Sequence, residues 1–191
     1  MDVGVFSSNI SSFNGIHNPS KFRVRIFPRF ASVVNFYEFL CESVSLPGST
    51  VATAQGRPLG YGPLMAAPMT TVYDPVTANF MMDNTGMLLD EMTSWQQRAV
   101  NHQYEPGGAL DESFGSSPFL VGYVEEYAAR VEISTYTQAG AVISTYTLHD
   151  AWPSSIGTVQ LSWSSKDQIS VLPVTFSYRS WTSTHMFQED L

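Results

Sequence analysis

Residues 133–147 read ISTYTQAGAVISTYT, so that the pentapeptide Ile-Ser-Thr-Tyr-Thr occurs twice, at 133–137 and at 143–147. The two copies flank a short connection that contains Gly140, and such a link between two strand-like segments is typical of a β-hairpin. In each copy one face carries Ile and a pair of Thr, and the other face carries Ser and Tyr. Two short copies do not make a repeat architecture. The stretch therefore predicts a pair of antiparallel strands.

Alternating apolar residues on either side of this hairpin predict further strands. In Lys21–Phe27, Phe22, Val24 and Ile26 alternate with three bases, which places the apolar side chains on one face. The other expected strands are Phe36–Val44, Thr77–Met82 and a second hairpin formed by Thr158–Trp163 and Gln168–Trp181 around a turn at 164–167. Pro173 interrupts the last of these and requires an edge or bulge position.

One helix is predicted over Thr85–Asn101. Asp83, Asn84 and Thr85 supply capping groups at its start. Apolar residues recur at steps of four, three and four, which marks one face for packing. These residues are Leu88, Met92, Trp95 and Ala99.

Three segments are expected outside this framework. Residues 1–20 form an N-terminal arm, residues 47–70 an extended loop rich in proline and glycine, and residues 102–120 a second loop. The remainder of 21–191 is a single domain. Consecutive antiparallel strands with one inserted helix predict a mainly β (α+β) fold, an antiparallel β-sandwich or barrel with one flanking α-helix.

The composition favours a protein that assembles. Hydrophobic residues make up 43% of the chain and charged residues only 14%, against roughly 25% charged residues in an ordinary soluble domain. A monomer would expose weakly charged, aromatic-bearing surface, which promotes association unless another chain covers it.

The net charge of −8 is unevenly distributed along the chain. Residues 1–73 hold five bases and three acids, a net of 5 − 3 = +2, and residues 74–191 hold four bases and fourteen acids, a net of 4 − 14 = −10. The asymmetry indicates either a solvated acidic face or two electrostatically different faces of an assembling subunit. This balance disfavours tight binding to nucleic-acid phosphates.

The sequence contains no pattern of an enzyme or of a metal or cofactor site. Four scattered histidines have no ligand spacing, and nucleotide-binding or nucleophile motifs are missing. His149 and Asp150 are neighbours in a strand and should point to opposite faces, which spoils a catalytic pair. The acidic pairs Glu125-Glu126 and Asp111-Glu112 are more consistent with solvated surface than with a glycosidase site.

Targeting signals and membrane spans are also missing from the sequence. Cys41 is the only cysteine, so an intrachain disulfide is excluded and a reduced compartment is expected. The N-terminus does not resemble a signal peptide, and no apolar run approaches the roughly 20 residues of a membrane helix.

The second half of the chain resembles the tail-tube proteins of contractile-tailed bacteriophages. The resemblance rests on LHDAWP at 148–153, IGTVQLSW at 156–163, and Ile169 followed by VTF at 174–176. In that family a strand ends in a Trp-Pro pair, a short turn with glycine follows, and a strand with Trp precedes a Val-Thr strand. The first half agrees in order, with an opening strand, FLCE leading to LPG, and a helix carrying Trp95. The resemblance covers about residues 20–181.

The resemblance implies a subunit that closes into a hexameric ring, with inner strands joined across subunits. Stacked rings would form the tail tube, through which DNA passes without specific binding, in contact with sheath and baseplate proteins. The protein would be located in the virion tail after assembly in the host cytoplasm. A baseplate tube-initiator of the same fold is the alternative role. A secretion-system tube protein and a carbohydrate-binding β-sandwich module are further alternatives.

The resemblance also singles out residues with structural or assembly roles: Trp95, Trp152, Pro153, Gly157, Leu161 and Trp163. Pro153 is expected to direct the chain from a strand into a turn, and Trp163 to bury most of its ring. In the channel, acids of 74–191 are expected to outnumber bases. The two Ile-Ser-Thr-Tyr-Thr strands would serve as its wall, and Lys21, Arg23 and Arg25 would face elsewhere.

Overall fold

The computed structural model of the protein describes residues 19–29, 40–57, 60–61, 63–101, 120–163 and 168–185. Nearly all of the predicted arm at 1–20 and of the predicted loop at 102–120 lies outside these residues. The beginning of the predicted strand Phe36–Val44 lies outside them as well.

Eleven elements follow one another in the described residues. They are β1 (Phe22–Pro28), β2 (Cys41–Val44), β3 (Ser49–Gly56), β4 (Met65–Tyr73), β5 (Val76–Met81), α1 (Met87–Ala99), α2 (Val124–Tyr127), β6 (Ala129–Tyr136), β7 (Val142–Ile156), β8 (Val171–Ser177) and β9 (Ser180–His185). All strand pairs are antiparallel. The prediction of a mainly β fold with antiparallel sheets and one flanking helix is confirmed.

The long strand β7 belongs to two layers of the fold. Its first part pairs with β6 on one side and β9 on the other, while residues 152–156 pair with β8. The strand order is β1-β6-β7-β8-β5-β2, with β9 attached to β7. We call β1, β6, β9 and the first part of β7 the first layer, and β2, β5, β8 and the end of β7 the second layer.

The core contains buried residues from both layers and from α1. The predicted helical stripe of Leu88, Met92, Trp95 and Ala99 is buried in full. Fully burying a large apolar side chain contributes about 1.5–3 kcal/mol, so this face holds α1 to the two layers. We call the two layers and α1 together the body. The strands contribute Val24, Ile26, Val131, Ile133 and Leu148 from the first layer, and Val76, Phe80, Leu172, Val174 and Phe176 from the second.

Asp83 caps α1 as the sequence predicts. Its carboxylate accepts hydrogen bonds from the backbone N–H groups of Met87, at 3.2 Å, and Leu88, at 3.1 Å. Gly86 immediately before the helix has a φ of +74°, a conformation that glycine adopts without steric cost. A carboxylate at this end is further favoured by the helix dipole.

The hairpin predicted from the repeated pentapeptide is present, with Gly140 in its turn at a φ of +90°. Its register opposes Ser134 to Thr145 and Thr135 to Ser144. The two copies therefore turn different side chains to the core. Thr135 of the first copy is buried, whereas Thr145, the equivalent residue of the second copy, lies on the outer face of the sheet. Cross-strand hydroxyl contacts of 3.1 Å (Ser134 to Thr145) and 2.9 Å (Thr135 to Ser144) fix this register.

The second predicted hairpin is wrong. Residues 158–163 form no strand, and β7 continues through Trp152-Pro153 to Ile156 instead of ending there. Pro153 is accommodated because the register shifts between Pro153 and Ser155, so that the ladder is already interrupted beside it. Pro173 occupies an edge-like position, as expected, since the pairing of β8 with β7 stops at Val174.

The prediction of an extended loop across residues 47–70 is also wrong, because β3 and β4 form a two-stranded ribbon there. Proline is excluded from central strands, but a two-stranded ribbon has two open edges. Pro68 lies beside a bulge, where the register shifts between Ala52 and Thr53 and leaves Met69 unpaired. We call β3 and β4 with their connection the ribbon.

Candidate assembly surface

The ribbon exposes almost all of its side chains. Every residue of β4 is exposed, and only two residues of β3 are partly covered. Large apolar side chains are among them, with exposed fractions of 53% for Val51, 72% for Met69 and 51% for Val72. Eight residues at about 3.3 Å each give a ribbon roughly 26 Å long. A surface of this kind is expected to be covered by another protein chain.

Formal charge is almost missing from the ribbon. Between Glu42 and Asp74 the sequence contains a single charged residue, Arg57. Soluble proteins protect exposed strand edges with charged residues, and the ribbon has only this one, at the end of β3. The low charge content of the whole sequence favours a protein that assembles, and this segment combines few charges with exposed apolar side chains.

Hydrogen bonds at its base attach the ribbon to the body. Asp74 N–H donates to the Gly48 carbonyl at 3.1 Å, and Ser45 N–H donates to the Thr77 carbonyl at 2.9 Å. The Tyr178 hydroxyl donates to the Asp74 carbonyl at 2.7 Å. Burial, followed by the charge of Asp74, raises the pKa of Tyr178, so the hydroxyl stays protonated and able to donate. The ribbon is therefore held at a defined place on the body.

A second exposed apolar surface follows β7. Trp163 is 100% exposed and Leu161 85%, so the expectation that Trp163 buries its ring is wrong for the single chain. The chain leaves the sheet after Gly157, whose N–H donates to the Pro173 carbonyl at 2.7 Å. A Cβ at Gly157 would overlap the Pro173 ring. Residues 158–163 and 168–171 instead line an open cavity of about 730 Å³ beside Asn79.

Trp95 and Trp152 have contacts inside the body. The Trp95 ring is 1% exposed and lies 5.8 Å from the Phe176 ring, measured between centroids. Its Nε1 donates to the Tyr127 carbonyl at 2.6 Å. The ring of Trp152 meets Tyr127 edge-on at 5.9 Å. The structure therefore connects these two tryptophans through Tyr127, and it separates them from Leu161 and Trp163.

Asp150 holds the point where β7 passes between the layers. Its φ of +52° is unusual for a residue other than glycine, although aspartate tolerates it better than most. Its carboxylate pairs with Arg29 and Arg179, each at 2.8 Å, and is 8% exposed. His149 Nε2 lies 3.1 Å from the Thr182 hydroxyl instead. The two neighbours thus have separate partners, and no sequence pattern indicated the role of Asp150.

The outer face of the first layer carries bases. Arg23 lies opposite Ser134, and Arg25 lies opposite Glu132, which in turn lies opposite Thr147. Paired residues share a face of a sheet. The hypothesis that the pentapeptide strands line a channel while Arg23 and Arg25 face elsewhere is therefore wrong, because the partly exposed hydroxyls of these strands lie on the same face of the sheet as the two bases.

The outer face of the second layer is polar and lacks bases. Asn79 Nδ2 donates to the Ser43 hydroxyl at 2.8 Å, and the hydroxyls of Thr77 and Thr175 are 3.3 Å apart. Strands β2, β5 and β8 contain no Lys or Arg and one acid, Glu42. This layer therefore offers a hydrogen-bonded, weakly charged surface.

The described residues give little support for a metal site, a membrane-spanning helix or a reactive cysteine. Within it, no three His, Cys, Asp or Glu residues come together as a metal site, and no helix is long and apolar enough to cross a membrane. Burial raises the pKa of the Cys41 thiol to about 12, which makes it a poor nucleophile.

Comparisons with known proteins agree with this architecture. The sequence profile of phage tail tube proteins matches residues 17–184. No curated protein sequence matches significantly.

Several solved structures have a similar fold. One is the sheath-tube complex of the PVC extracellular contractile injection system in its extended state (16% identity, 94% of this chain and 98% of that chain, TM-score 0.60). Another is the baseplate of the anti-feeding prophage, 6-fold symmetrised (12% identity, 90% and 97%, TM-score 0.60). A third is an Hcp protein (14% identity, 89% and 94%, TM-score 0.50). At these identities the likeness establishes the fold alone.

Proposed function

This chain belongs to the phage tail tube protein family, and we propose that it is the subunit of a hexameric ring that stacks into a tail tube. The ribbon carries the proposal. It places uncharged apolar side chains in water over about 26 Å, and a neighbouring copy that covers them removes that cost.

Ring closure uses the ends of the strand order. In the described residues β1 and β2 end the main strand order, and β9, which pairs with β7 alone, is a third strand with an open edge. Such strands pair readily with another chain, and a closed ring brings the open edges of neighbouring copies together. The similar baseplate was determined with 6-fold symmetry, which supports six as the number of copies.

The second layer forms the wall of the channel in this proposal. Lys and Arg hold DNA through its phosphates, and the outer face of β2, β5 and β8 has neither. Ser43, Thr77, Asn79 and Thr175 instead give a polar surface that carries no base, past which DNA moves without specific binding. The first layer, with Arg23 and Arg25, then faces outward, towards the sheath. That acids outnumber bases along the channel stays a prediction.

The location follows from the role. A tube subunit is part of the virion tail, contacts sheath and baseplate proteins, and assembles in the host cytoplasm. The baseplate tube-initiator is the second candidate. It is favoured by the similarity to the anti-feeding prophage baseplate, whose TM-score of 0.60 equals that of the sheath-tube complex.

Electron microscopy and native mass spectrometry of the purified chain test the proposal. We expect hexamers that stack into tubes as the protein concentration rises. Rings that never stack without a partner would assign the initiator role. Monomers across the micromolar range would contradict both roles.

Size-selective labelling tests the channel wall. Thr77→Cys and Thr184→Cys, each with Cys41→Ser, place a thiol on the second and first layers respectively. In assembled tubes, Thr77→Cys should react with a small maleimide but not with one that carries a large polyethylene glycol chain. Thr184→Cys should react with both reagents. The reverse pattern would place the first layer in the channel.

A further inference from the structure

The tube requires a surface that receives the ribbon, and we propose that this surface is the acceptor patch of a second copy. The patch consists of Val100, residues 120–124 and Glu125. This inference rests on the proposed ring and tube, and it names the contact that joins one subunit to the next.

The acceptor patch is a compact group of exposed apolar side chains. Val121 is 72% exposed, Tyr123 77% and Leu120 55%, and Val124 and Val100 add smaller areas. Val100 and Val121 form an isolated antiparallel bridge, which brings the end of α1 beside the start of α2. Exposed tyrosine next to aliphatic residues is the composition of an interface centre.

Hydrogen bonds make the patch rigid before any partner arrives. Gly122 N–H donates to the Ala99 carbonyl at 3.0 Å, and a Cβ at Gly122 would overlap the Arg98 carbonyl. Glu126 Oε2 accepts from Tyr123 N–H at 3.2 Å. A preformed surface loses little conformational entropy on binding.

Charge identifies the ribbon as the occupant. The patch end of the body carries Glu125 and Glu126 on α2 and Arg98 on the last turn of α1, a net of −2 + 1 = −1. The ribbon carries +1 at Arg57, next to exposed Tyr61 and Leu64. Apolar contacts would supply the affinity, and the opposite charges would fix the direction of docking.

The other exposed apolar surface lacks this complementarity. Leu161, Trp163 and Ile169 lie in residues 157–163 and 168–170, and these described residues contain no acid. Residues 157–170 carry no net charge for Arg57 to pair with, because Lys166 and Asp167 cancel in the sequence. The acceptor patch is therefore the better match for the ribbon tip.

Cysteine pairing between chains tests the contact. Arg57→Cys and Glu125→Cys, each with Cys41→Ser, are purified separately, mixed during assembly and treated with a short bis-maleimide, because the Cβ atoms of an Arg–Glu pair lie too far apart for a disulfide. A covalently linked dimer should form in the mixture and in neither variant alone. Thr184→Cys in place of Glu125→Cys is the control and should give no such dimer.

The outcomes separate this inference from the proposed function. Rings or tubes that form without the cross-linked dimer would overturn the acceptor patch and leave the proposed tube standing. The mixture is assembled at a protein concentration well above that needed by the Cys41→Ser parent, because loss of the ion pair is expected to weaken assembly about fivefold. A third chain that carries both cysteines and gives only an intrachain cross-link would overturn the inference, because its own ribbon would then cover the patch.

Charge reversal provides a second test that does not depend on a cross-link. Arg57→Glu should raise the protein concentration needed for assembly by about fivefold, the effect of roughly 1 kcal/mol at an exposed ion pair. Adding Glu125→Arg should restore the parent value. Glu125 is chosen because Glu126 already holds Tyr123. A double variant no better than Arg57→Glu alone, with an unchanged unfolding temperature, would refute the pairing.

Discussion

Apolar side chains are buried in the sandwich body and exposed in the ribbon. In the body, two layers and α1 cover Phe80, Trp95 and Phe176 almost completely. In the ribbon, Val51 and Met69 remain in water. Burial within the chain therefore stabilises the body, whereas in our proposal the apolar side chains of the ribbon are buried only when another copy covers them. Stability and assembly should respond separately to substitutions in the two regions.

The largest effect on stability is expected for Trp95→Ala. The change removes a fully buried ring, its contact with Phe176 and its hydrogen bond to Tyr127. We expect a loss of about 3–5 kcal/mol in the free energy of unfolding, measured by urea denaturation. A loss below about 1 kcal/mol would show that the core is not organised around this ring.

A smaller loss is expected for Gly157→Ala, which tests the close approach at the end of β7. The added methyl group must displace Pro173, and overpacking of this kind costs about 1–3 kcal/mol. Gly60→Ala would be a poor control because Gly60 has a positive φ. Gly56→Ala, whose Cβ meets nothing within 4 Å, should leave the unfolding midpoint nearly unchanged. Equal shifts of the unfolding midpoint for Gly157→Ala and Gly56→Ala would show that the close approach to Pro173 does not restrict residue 157.

The helix cap should make stability depend on pH in the acid range. Hydrogen bonds from Thr85, Leu88 and Met87 lower the pKa of Asp83. Because the folded pKa lies below the unfolded one, the stabilisation is complete above the ordinary carboxyl pKa of roughly 4 and is lost as pH falls through the folded pKa. The difference in unfolding temperature between Asp83→Asn and the parent should shrink over this window. A difference in unfolding temperature that does not change with pH would show that Asp83 does not titrate in this window.

The smallest effect on stability is expected for Trp163→Ala. The ring is fully exposed, and such surface changes usually stay within about 0.5 kcal/mol. Thermal unfolding of the unassembled chain measures it. A loss as large as that of Trp95→Ala would show that the ring is buried after all.

Local patterns in the sequence predict the body better than the exposed regions. The steps from Leu88 to Ala99 mark a helical face, and the repeated pentapeptide marks a hairpin, because both depend on neighbours within a few residues. The ribbon was not predicted because the prolines of this segment were taken as evidence against any strand, although that rule applies only to central strands. Trp163 was missed because a strand-like sequence does not show that the chain leaves the sheet at Gly157. The ion pairs of Asp150 with Arg29 and Arg179 join residues that are distant in the sequence, so no local pattern predicts them.

Sedimentation velocity of a ribbon variant tests most directly that the ribbon is the assembly element. Met69→Glu with Val51→Glu adds two charges to the ribbon, and Met87→Glu makes the same kind of change at an exposed methionine of α1. The parent and Met87→Glu should sediment as rings or tubes. The ribbon variant should sediment as a monomer with an unchanged unfolding temperature. A ribbon variant that assembles like its parent would contradict the account.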